Sequence, residues 1–439
     1  MRTRFTWIVA VLALFAIGFV MACSTKYSSS SSTNGLVVVP TQGQAVMETF
    51  SLDLANGGMS QINNVNGPPT PGLSGSVILD PAGAFAYVIM QQNAALVPSV
   101  TGITVFAIGS DGKLAAGTTT PLNNAAVTIQ VKGQNVTESV PVFPFALSMD
   151  SSGKLLFVAD GSTSDSSGNP VPGAVSVFAV SSGTPTEVAG SPFVLPVEPG
   201  GSTASASALA VTPTVYPVQY SFCSGHAPAT TENLYVADST NYVLLNYSVD
   251  TSAGTLTLMP YSTSAPGIPT GSVPSGVAVD PCNRFVYVAN AGPGSTQNDV
   301  SAYTICSAEN LLSQPPCPIA DYSLNPVTGS PYPAGDKPGP MAVDAYGNFL
   351  YVVNTGSNNI SGYRISPTTG ALSGFTGLPV VTGVGPNSIA IRSDDSWLFV
   401  ANTGYPGTLS QYAITLSTGA LDSASATSTL DYPSGVAVK

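Results

Sequence analysis

Charged residues are scarce in this 439-residue sequence, because Asp, Glu, Lys and Arg together make up only 8% of it, against about 25% in an ordinary soluble domain. Histidine occurs once and tryptophan twice. The scarcity of charge excludes long charged helices, coiled coils and basic DNA-binding arms. Glycine (44 residues) and proline (37 residues) are frequent instead, and apolar residues reach 44%, so the chain can bury a large core.

The N-terminus has the order of an export signal. Arg2 and Arg4 precede an uncharged apolar run over residues 5–22, and a serine tract follows at residues 28–32. This order predicts a signal peptide over residues 1–22. An uncleaved membrane anchor is the alternative, because the 18 apolar residues lie at the lower limit for crossing a bilayer.

The end of the apolar run resembles a bacterial lipobox, with the sequence Val20-Met21-Ala22-Cys23. The resemblance implies cleavage before Cys23, acylation of that cysteine and a Ser-rich tether over residues 23–35. The chain would then be an extracytoplasmic lipoprotein of the outer membrane or periplasm, held to the membrane by its acyl chains.

The net charge excludes one class of partner. Removal of residues 1–22 leaves nine basic and 23 acidic residues, a net charge of −14. Because a phosphate backbone repels such a surface, we expect no nucleic-acid binding.

The four cysteines after Cys23 predict disulfides, since their number is even and the compartment is oxidising. They are Cys223, Cys282, Cys306 and Cys317. Four cysteines allow three pairings; the repeat positions described below favour Cys223–Cys282 and Cys306–Cys317. Zinc is disfavoured because no C-x-x-C occurs, so we expect no metal site.

A repeat of short β-branched and aromatic runs organises the chain. From Pro274 it reads PSGVAVD, PCNRF, VYVAN and then VSAYTI, and related units begin at Pro340 and Pro386. Asp, Gly, Pro and Asn clusters separate the runs, and alternation within them is typical of strands. We name the four antiparallel strands of a unit A (AVD type), B (YVAN type), C (VSAY type) and D (after TGAL).

The number of strands of each type predicts the architecture. Type A occurs seven times, near Ser76, Ala146, Ala208, Gly276, Met341, Ser388 and Gly435. Type B also occurs seven times, near Leu36, Ala86, Leu156, Leu234, Val286, Leu350 and Leu398. The series begins with B and ends with A, so the last strand must complete the first sheet to avoid two open edges. The sequence therefore predicts an all-β fold, a seven-bladed β-propeller over residues 36–439 with four antiparallel strands per blade.

The repeat resembles the YVTN-type repeats of the lactonase-like seven-bladed propellers, and the resemblance covers residues 36–439. It implies a central channel lined by A strands and a funnel on the face that carries the D–A and B–C loops. Members often have a Pro-His pair before an A strand. In this sequence the residues after the corresponding prolines are Phe145, Ser275, Met341, Asn387 and Ser434.

Candidate catalytic residues are few. Asp336 and Lys337 precede an A strand and could act as base and electrophile in lactone hydrolysis, although a solvated loop is the plainer interpretation. Asn387 could donate a hydrogen bond in the channel, or serve only as a turn residue. The single histidine, His226, lies in an A–B insertion on the opposite face.

No cofactor is expected. Calcium is the alternative, at oxygen-rich loops over residues 160–165 or 298–299, but neither matches a calcium-loop template.

The leading hypothesis is therefore a monomeric, lipid-anchored binding or scaffold module at the cell envelope. Its partners would be the membrane, an envelope protein or a small carbohydrate ligand. The alternative is a lactonase-like hydrolase or isomerase acting on a sugar lactone or related acid. A surface adhesion role is a third interpretation.

Overall fold

Seven antiparallel sheets of four main strands form the molecule, arranged as the blades of a β-propeller. The computed structural model describes residues 34–42, 46–66, 73–90, 101–131, 134–197, 202–213, 232–262, 264–293, 297–306, 323–422, 425–429 and 432–439. None of these residues belongs to a helix that could cross a membrane.

The blades are numbered from the N-terminal end of the described chain. Blade 1 has β1 (Asn34–Thr41), β2 (Val46–Asp53), β3 (Met59–Asn66) and β36 (Ala437–Val438). Blade 2 has β4 (Leu73–Leu79), β5 (Phe85–Met90), β6 (Gly102–Ala107) and β7 (Thr118–Pro121). Blade 3 has β10 (Phe143–Met149), β11 (Leu155–Gly161), β14 (Ala174–Ser181), β15 (Thr184–Glu187) and β16 (Phe193–Val194). Blade 4 has β17 (Ala206–Val211), β18 (Glu232–Asp238), β19 (Val243–Val249), β20 (Leu256–Leu258) and β21 (Ile268–Pro269).

The remaining blades repeat this order. Blade 5 has β22 (Pro274–Val279), β23 (Phe285–Ala291), β24 (Asn298–Ile305), β25 (Leu324–Pro326) and β26 (Tyr332–Pro333). Blade 6 has β27 (Pro338–Val343), β28 (Phe349–Asn354), β29 (Asn359–Ile365), β30 (Leu372–Gly374) and β31 (Val380–Val381). Blade 7 has β32 (Pro386–Ile391), β33 (Trp397–Asn402), β34 (Thr408–Ala413) and β35 (Ser425–Ser428).

The predicted ring closure is confirmed. The last strand, β36, pairs antiparallel with β1, with Val438 opposite Val37 and Ala437 opposite Val38. Two backbone hydrogen bonds between Leu36 and Lys439 extend this pairing. The C-terminal strand therefore supplies the A strand of blade 1, as the unequal ends of the repeat series predicted.

Two features differ from the simple four-strand repeat. In blades 3 to 6 a second short strand after D also pairs with C, because a turn splits the outer edge. Two hairpins lie outside the blades, β8–β9 (Ala125–Val131, Gln134–Val140) and β12–β13 (Thr163–Ser164, Pro170–Val171). Part of the sequence between the main strands of the blades is therefore also β-structure.

Tyrosines of several B strands contact the next blade. The Tyr351 hydroxyl donates to the carbonyl of Gly419 at 2.7 Å, in the C–D turn of blade 7. Gly419 has a φ of +76°, and a Cβ there would lie 2.4 Å from the ring of Phe349. A side chain at this turn would therefore collide with the neighbouring blade. Tyr287 makes the same bond to Gly370 at 3.1 Å.

Candidate functional site

The candidate site lies where the A strands begin, at the face formed by the D–A and B–C loops. We call this the channel mouth. Two residue positions repeat around it: a corner residue directly before the proline of the A strand, and a bulge residue directly after it. The described corner residues beside such a proline are Phe143, Val273, Lys337, Gly385 and Tyr432.

Four corner residues have left-handed backbone conformations. The φ angles are +53° at Val273, +51° at Lys337 and +57° at Tyr432, and Gly385 has +65°. Each carbonyl accepts a hydrogen bond from the last residue of the B strand of its blade or from the residue after it, as Thr355 donates to Lys337 at 2.9 Å. Such backbone costs about 1–3 kcal/mol per non-glycine residue and is often concentrated at functional sites. Val273 and Tyr432 were not among the predicted mouth residues; their signal is the position before each repeated proline.

The bulge residues connect adjacent blades. The ladder between A and B strands shifts register at this position, as between Pro274 and Gly276. The Ser275 hydroxyl donates to the carbonyl of Pro338 at 2.7 Å, and the Asn387 amide donates to the carbonyl of Ser434 at 3.2 Å. Predicted mouth residues are therefore present at the mouth, and two of them also fasten neighbouring blades.

The register corrects one predicted mouth residue. Pro338, not Pro340, pairs with Asn354 of its B strand, in the same way that Pro274 pairs with Asn290. The bulge residue of blade 6 is therefore Gly339. Met341 lies two residues further along β27, where it packs against the hydrophobic core. The two closely spaced prolines made the sequence ambiguous at this point.

Asp336 and Lys337 both lie at the mouth. The Oδ1 atom of Asp336 accepts from the Asn298 amide at 3.0 Å, and its backbone amide donates to the Ser357 hydroxyl at 3.1 Å. Asp336 is half-buried, whereas Lys337 is exposed. In the described part of the chain no ion pair joins the two. The carboxylate is thus held in place while the ammonium group remains accessible.

Asn387 is one blade away from that pair. Its Oδ1 atom is buried and has no hydrogen-bond partner among the described residues. An unpaired buried acceptor costs free energy unless a donor reaches it. This oxygen is therefore available to a hydroxyl group entering the channel.

Basic residues are distributed unequally between the two faces of the propeller. Of the basic residues in the described part of the chain, Lys337 is the one at the mouth. The others occupy A–B or C–D turns or the ends of A and C strands, on the opposite face: Lys113, Lys154, Arg284, Arg364, Arg392 and Lys439. Three of these form ion pairs within their turns: Lys113 with Asp111 at 2.9 Å, Arg284 with Asp280 at 2.7 Å, and Arg392 with Asp394.

Exposed aromatic rings also lie at the mouth, where the A strands of blades 3 and 1 begin. Phe143 and Phe145 are 43% and 52% exposed, and Tyr432 is 45% exposed. The Phe145 ring lies against Gly161, where a Cβ would come within 2.3 Å of it. The mouth therefore offers apolar faces and few polar groups, the composition common in small-ligand sites.

A polar residue at or just before the end of the B strand acts as a structural clasp, which we call the B-strand clasp. The Asn290 amide donates to Asp299 at 2.6 Å and to Ser301 at 3.0 Å, and Asn402 similarly contacts Ser410. Asp160 occupies this position in blade 3 and accepts from Ser176 at 2.7 Å. Burial raises the pKa of Asp160 to about 8, against the effect of that hydrogen bond.

Calcium binding at the oxygen-rich loops stays a prediction. Asp160 is fully buried, and Asp165 accepts from its own loop residue Asn169. Among the residues that the structure describes, no three His, Cys, Asp or Glu side chains cluster as metal ligands.

Several predicted positions lie outside the described residues, namely Cys23, Cys223, His226 and Cys317. Cys282 and Cys306 are buried, and each is disulfide-bonded. Their pairing with Cys223 and Cys317 stays a prediction.

A known family shares part of this repeat. Residues 321–439 match the family model described as "Lactonase, 7-bladed beta-propeller". The chain has a lactonase-like seven-bladed propeller fold. No curated protein sequence matches it significantly.

Solved structures of other proteins share this fold over more than nine-tenths of the chain. A putative 6-phosphogluconolactonase from Bacteroides fragilis has a TM-score of 0.65 at 16% identity, over 94% of this chain and 99% of that one. The periplasmic gluconolactonase of Pseudomonas aeruginosa has a TM-score of 0.63 at 16% identity, over 92% and 99%. At such identities the likeness establishes the fold and leaves the activity to the site.

Proposed function

We propose that this propeller binds a small sugar acid, or the corresponding lactone, at the channel mouth. The observation that carries the proposal is the exposed ammonium group of Lys337, which forms no ion pair among the described residues and is the basic residue that they place at the mouth. In this proposal the ligand's carboxylate pairs with Lys337, and the apolar face of its sugar ring lies on an exposed aromatic ring of the mouth. The gluconolactonase similarity supports this ligand class.

Lactone hydrolysis is the second candidate, favoured by the placement of Asp336 beside Lys337. The Asp336 carboxylate would take a proton from water as the oxygen attacks the lactone carbonyl. Lys337 would stabilise the oxyanion. The ring C–O bond then breaks, and the departing ring oxygen takes the proton back from Asp336, which yields the open sugar acid. A phosphosugar substrate fits less well, because phosphate favours several convergent cations.

The binding test uses calorimetric titration with D-gluconate. We expect Lys337→Gln to weaken binding at least tenfold, and the exposed Lys154→Gln on the other face to leave it within twofold. An equal loss of gluconate affinity in both variants would show non-specific electrostatic attraction to the whole protein and would contradict a site at the mouth.

The hydrolysis test follows acid release from glucono-1,5-lactone above its spontaneous rate. If the chain is a hydrolase, Asp336→Asn should abolish the enhancement while gluconate still binds. If the unaltered protein does not enhance the rate, hydrolysis is ruled out and binding remains as the proposed function.

We also propose that the propeller works as a monomer at the cell envelope, without a cofactor, anchored through acylated Cys23. The anchor is supported by the order of basic residues, apolar run and lipobox-like sequence over residues 2–23. Incorporation of a labelled fatty acid that Cys23→Ser abolishes would support it; equal labelling of both would contradict it.

A further inference from the structure

The ends of the A strands, opposite the mouth, carry a repeated turn residue. In blade 2 the Oδ1 atom of Asp80 accepts from the backbone amides of Ala84 and Phe85 at 2.6 and 2.7 Å. Asp150, Asp280 and Asp344 hold the corresponding turns of blades 3, 5 and 6, and Thr212 does so in blade 4. Each of these residues uses its side chain to close its own A–B connection.

Two adjacent blades depart from this rule. Arg392 occupies the equivalent turn position in blade 7. Its backbone amide donates to the carbonyl of Trp397, just as the backbone amide of Asp80 donates to the carbonyl of Phe85. Lys439 occupies it in blade 1, where its amide donates to Leu36 at 2.9 Å. Neither cation can accept backbone hydrogen bonds, so both are available for another interaction.

A cavity of about 700 Å³ opens beside these two cations, between the turns of blades 7, 1 and 2. We call it the turn cavity. Besides Arg392 and Lys439, its lining includes Gly35, Gly83 and the loop over residues 108–112. The turn cavity lies on the face opposite Lys337, so it is independent of the proposed sugar-acid site.

The two cations are only partly engaged. The Lys439 ammonium donates to the carbonyl of Ala82 at 2.8 Å. Arg392 contacts Asp394 through Nη1, but its Nε atom is buried and has no partner among the described residues. A buried donor without an acceptor is costly, and an oxyanion in the cavity would supply the acceptor.

Glycines keep both cations open to the turn cavity. A Cβ at Gly35 would lie 3.3 Å from Arg392 Nε, and one at Gly83 would lie 2.8 Å from Lys439 Nζ. The acidic lining residue Asp111 is already paired with Lys113 at 2.9 Å. Arg392 and Lys439 are therefore the cationic side chains of the lining, with Asp394 as the counter-charge of one.

We propose that the turn cavity binds a small oxyanion, a phosphate-type group, between Arg392 and Lys439. The guanidinium plane suits paired oxygens, and the lysine supplies a point charge. The volume leaves room for the organic body that carries the group. The group could belong to a free phosphate compound or to an anionic lipid headgroup. The lipid is a candidate because β1, which follows the proposed lipid-anchored tether, begins beside this cavity.

The experiment titrates inorganic phosphate into the mature chain at constant ionic strength, followed by calorimetry. Lys439→Gln, an exposed substitution that leaves packing intact, should weaken binding at least tenfold, and Arg392→Gln should do the same. Lys154→Gln removes one charge from the same face and should change the affinity less than twofold. No phosphate binding, or equal weakening by all three variants, would overturn the proposal.

A second arm identifies the source. Phosphatidylglycerol vesicles are sedimented with the unacylated Cys23→Ser chain, with and without Lys439→Gln. Co-sedimentation that depends on Lys439 assigns the site to a headgroup, and its absence alongside phosphate binding assigns it to a free compound.

Discussion

At the residue scale, the B-strand clasp shows that one position can carry either an amide or an acid. Asn290, Asn354 and Asn402 fill it in blades 5 to 7, where each amide reaches a hydroxyl of the C strand. Asp160 fills it in blade 3 at complete burial. A carboxylate at this position destabilises the folded state, because burial disfavours its charged form.

Asp160→Asn should stabilise the protein in a pH-dependent way. Because the folded pKa is raised to about 8 above an unfolded value near 3.9, the folded state binds the extra proton. Stability therefore falls as pH rises through about 4 to 8. The variant lacks this loss and should gain on the order of 1–3 kcal/mol at pH 8, and nothing near pH 4.

Urea unfolding between pH 4 and 8 measures this gain. The control is Asp250→Asn, an exposed turn acid whose pKa is lowered by its hydrogen bonds to Ser252; it should keep the original slope over that range. A pH slope unchanged by Asp160→Asn would contradict the assignment.

At the element scale, the contact between a B strand and the next C–D turn fixes the spacing of blades. The sequence showed both halves of this contact, the recurring B-strand tyrosine and the TGAL turn, so the packing was predictable. The corner conformations were not predictable, because β-branched Val273 and Lys337 are residue types that ordinarily avoid the positive φ found there. The correct register at Met341 likewise required the pairing of Pro338 with Asn354.

Gly419→Ala should destabilise the protein by about 2 kcal/mol or more, because the new Cβ meets Phe349 in a left-handed turn. Gly374→Ala is the matched control, since a Cβ there meets nothing within 4 Å. Tyr351→Phe should cost about 1 kcal/mol by removing the bond to Gly419. Thermal unfolding compares the three, and equal melting temperatures for both alanine variants would contradict the contact.

At the scale of the whole molecule, the closed ring separates two faces with different chemistry. The strand count predicted the closure, because an unpaired first sheet and last strand had to meet. It could not place Asp336, Lys337 and Asn387 relative to the aromatic corners, since blades far apart in sequence meet at the mouth. Nor could it show that Arg392 and Lys439 share a cavity across the seam between the chain ends.

Hydrogen–deuterium exchange with and without saturating D-gluconate tests the central claim, a sugar-acid site at the mouth. We predict slower exchange in peptides that cover residues 143–147, 336–341 and 432–436, with no change at the A–B turns of residues 80–84 and 150–155. Protection confined to those turns, or no protection anywhere, would contradict the account.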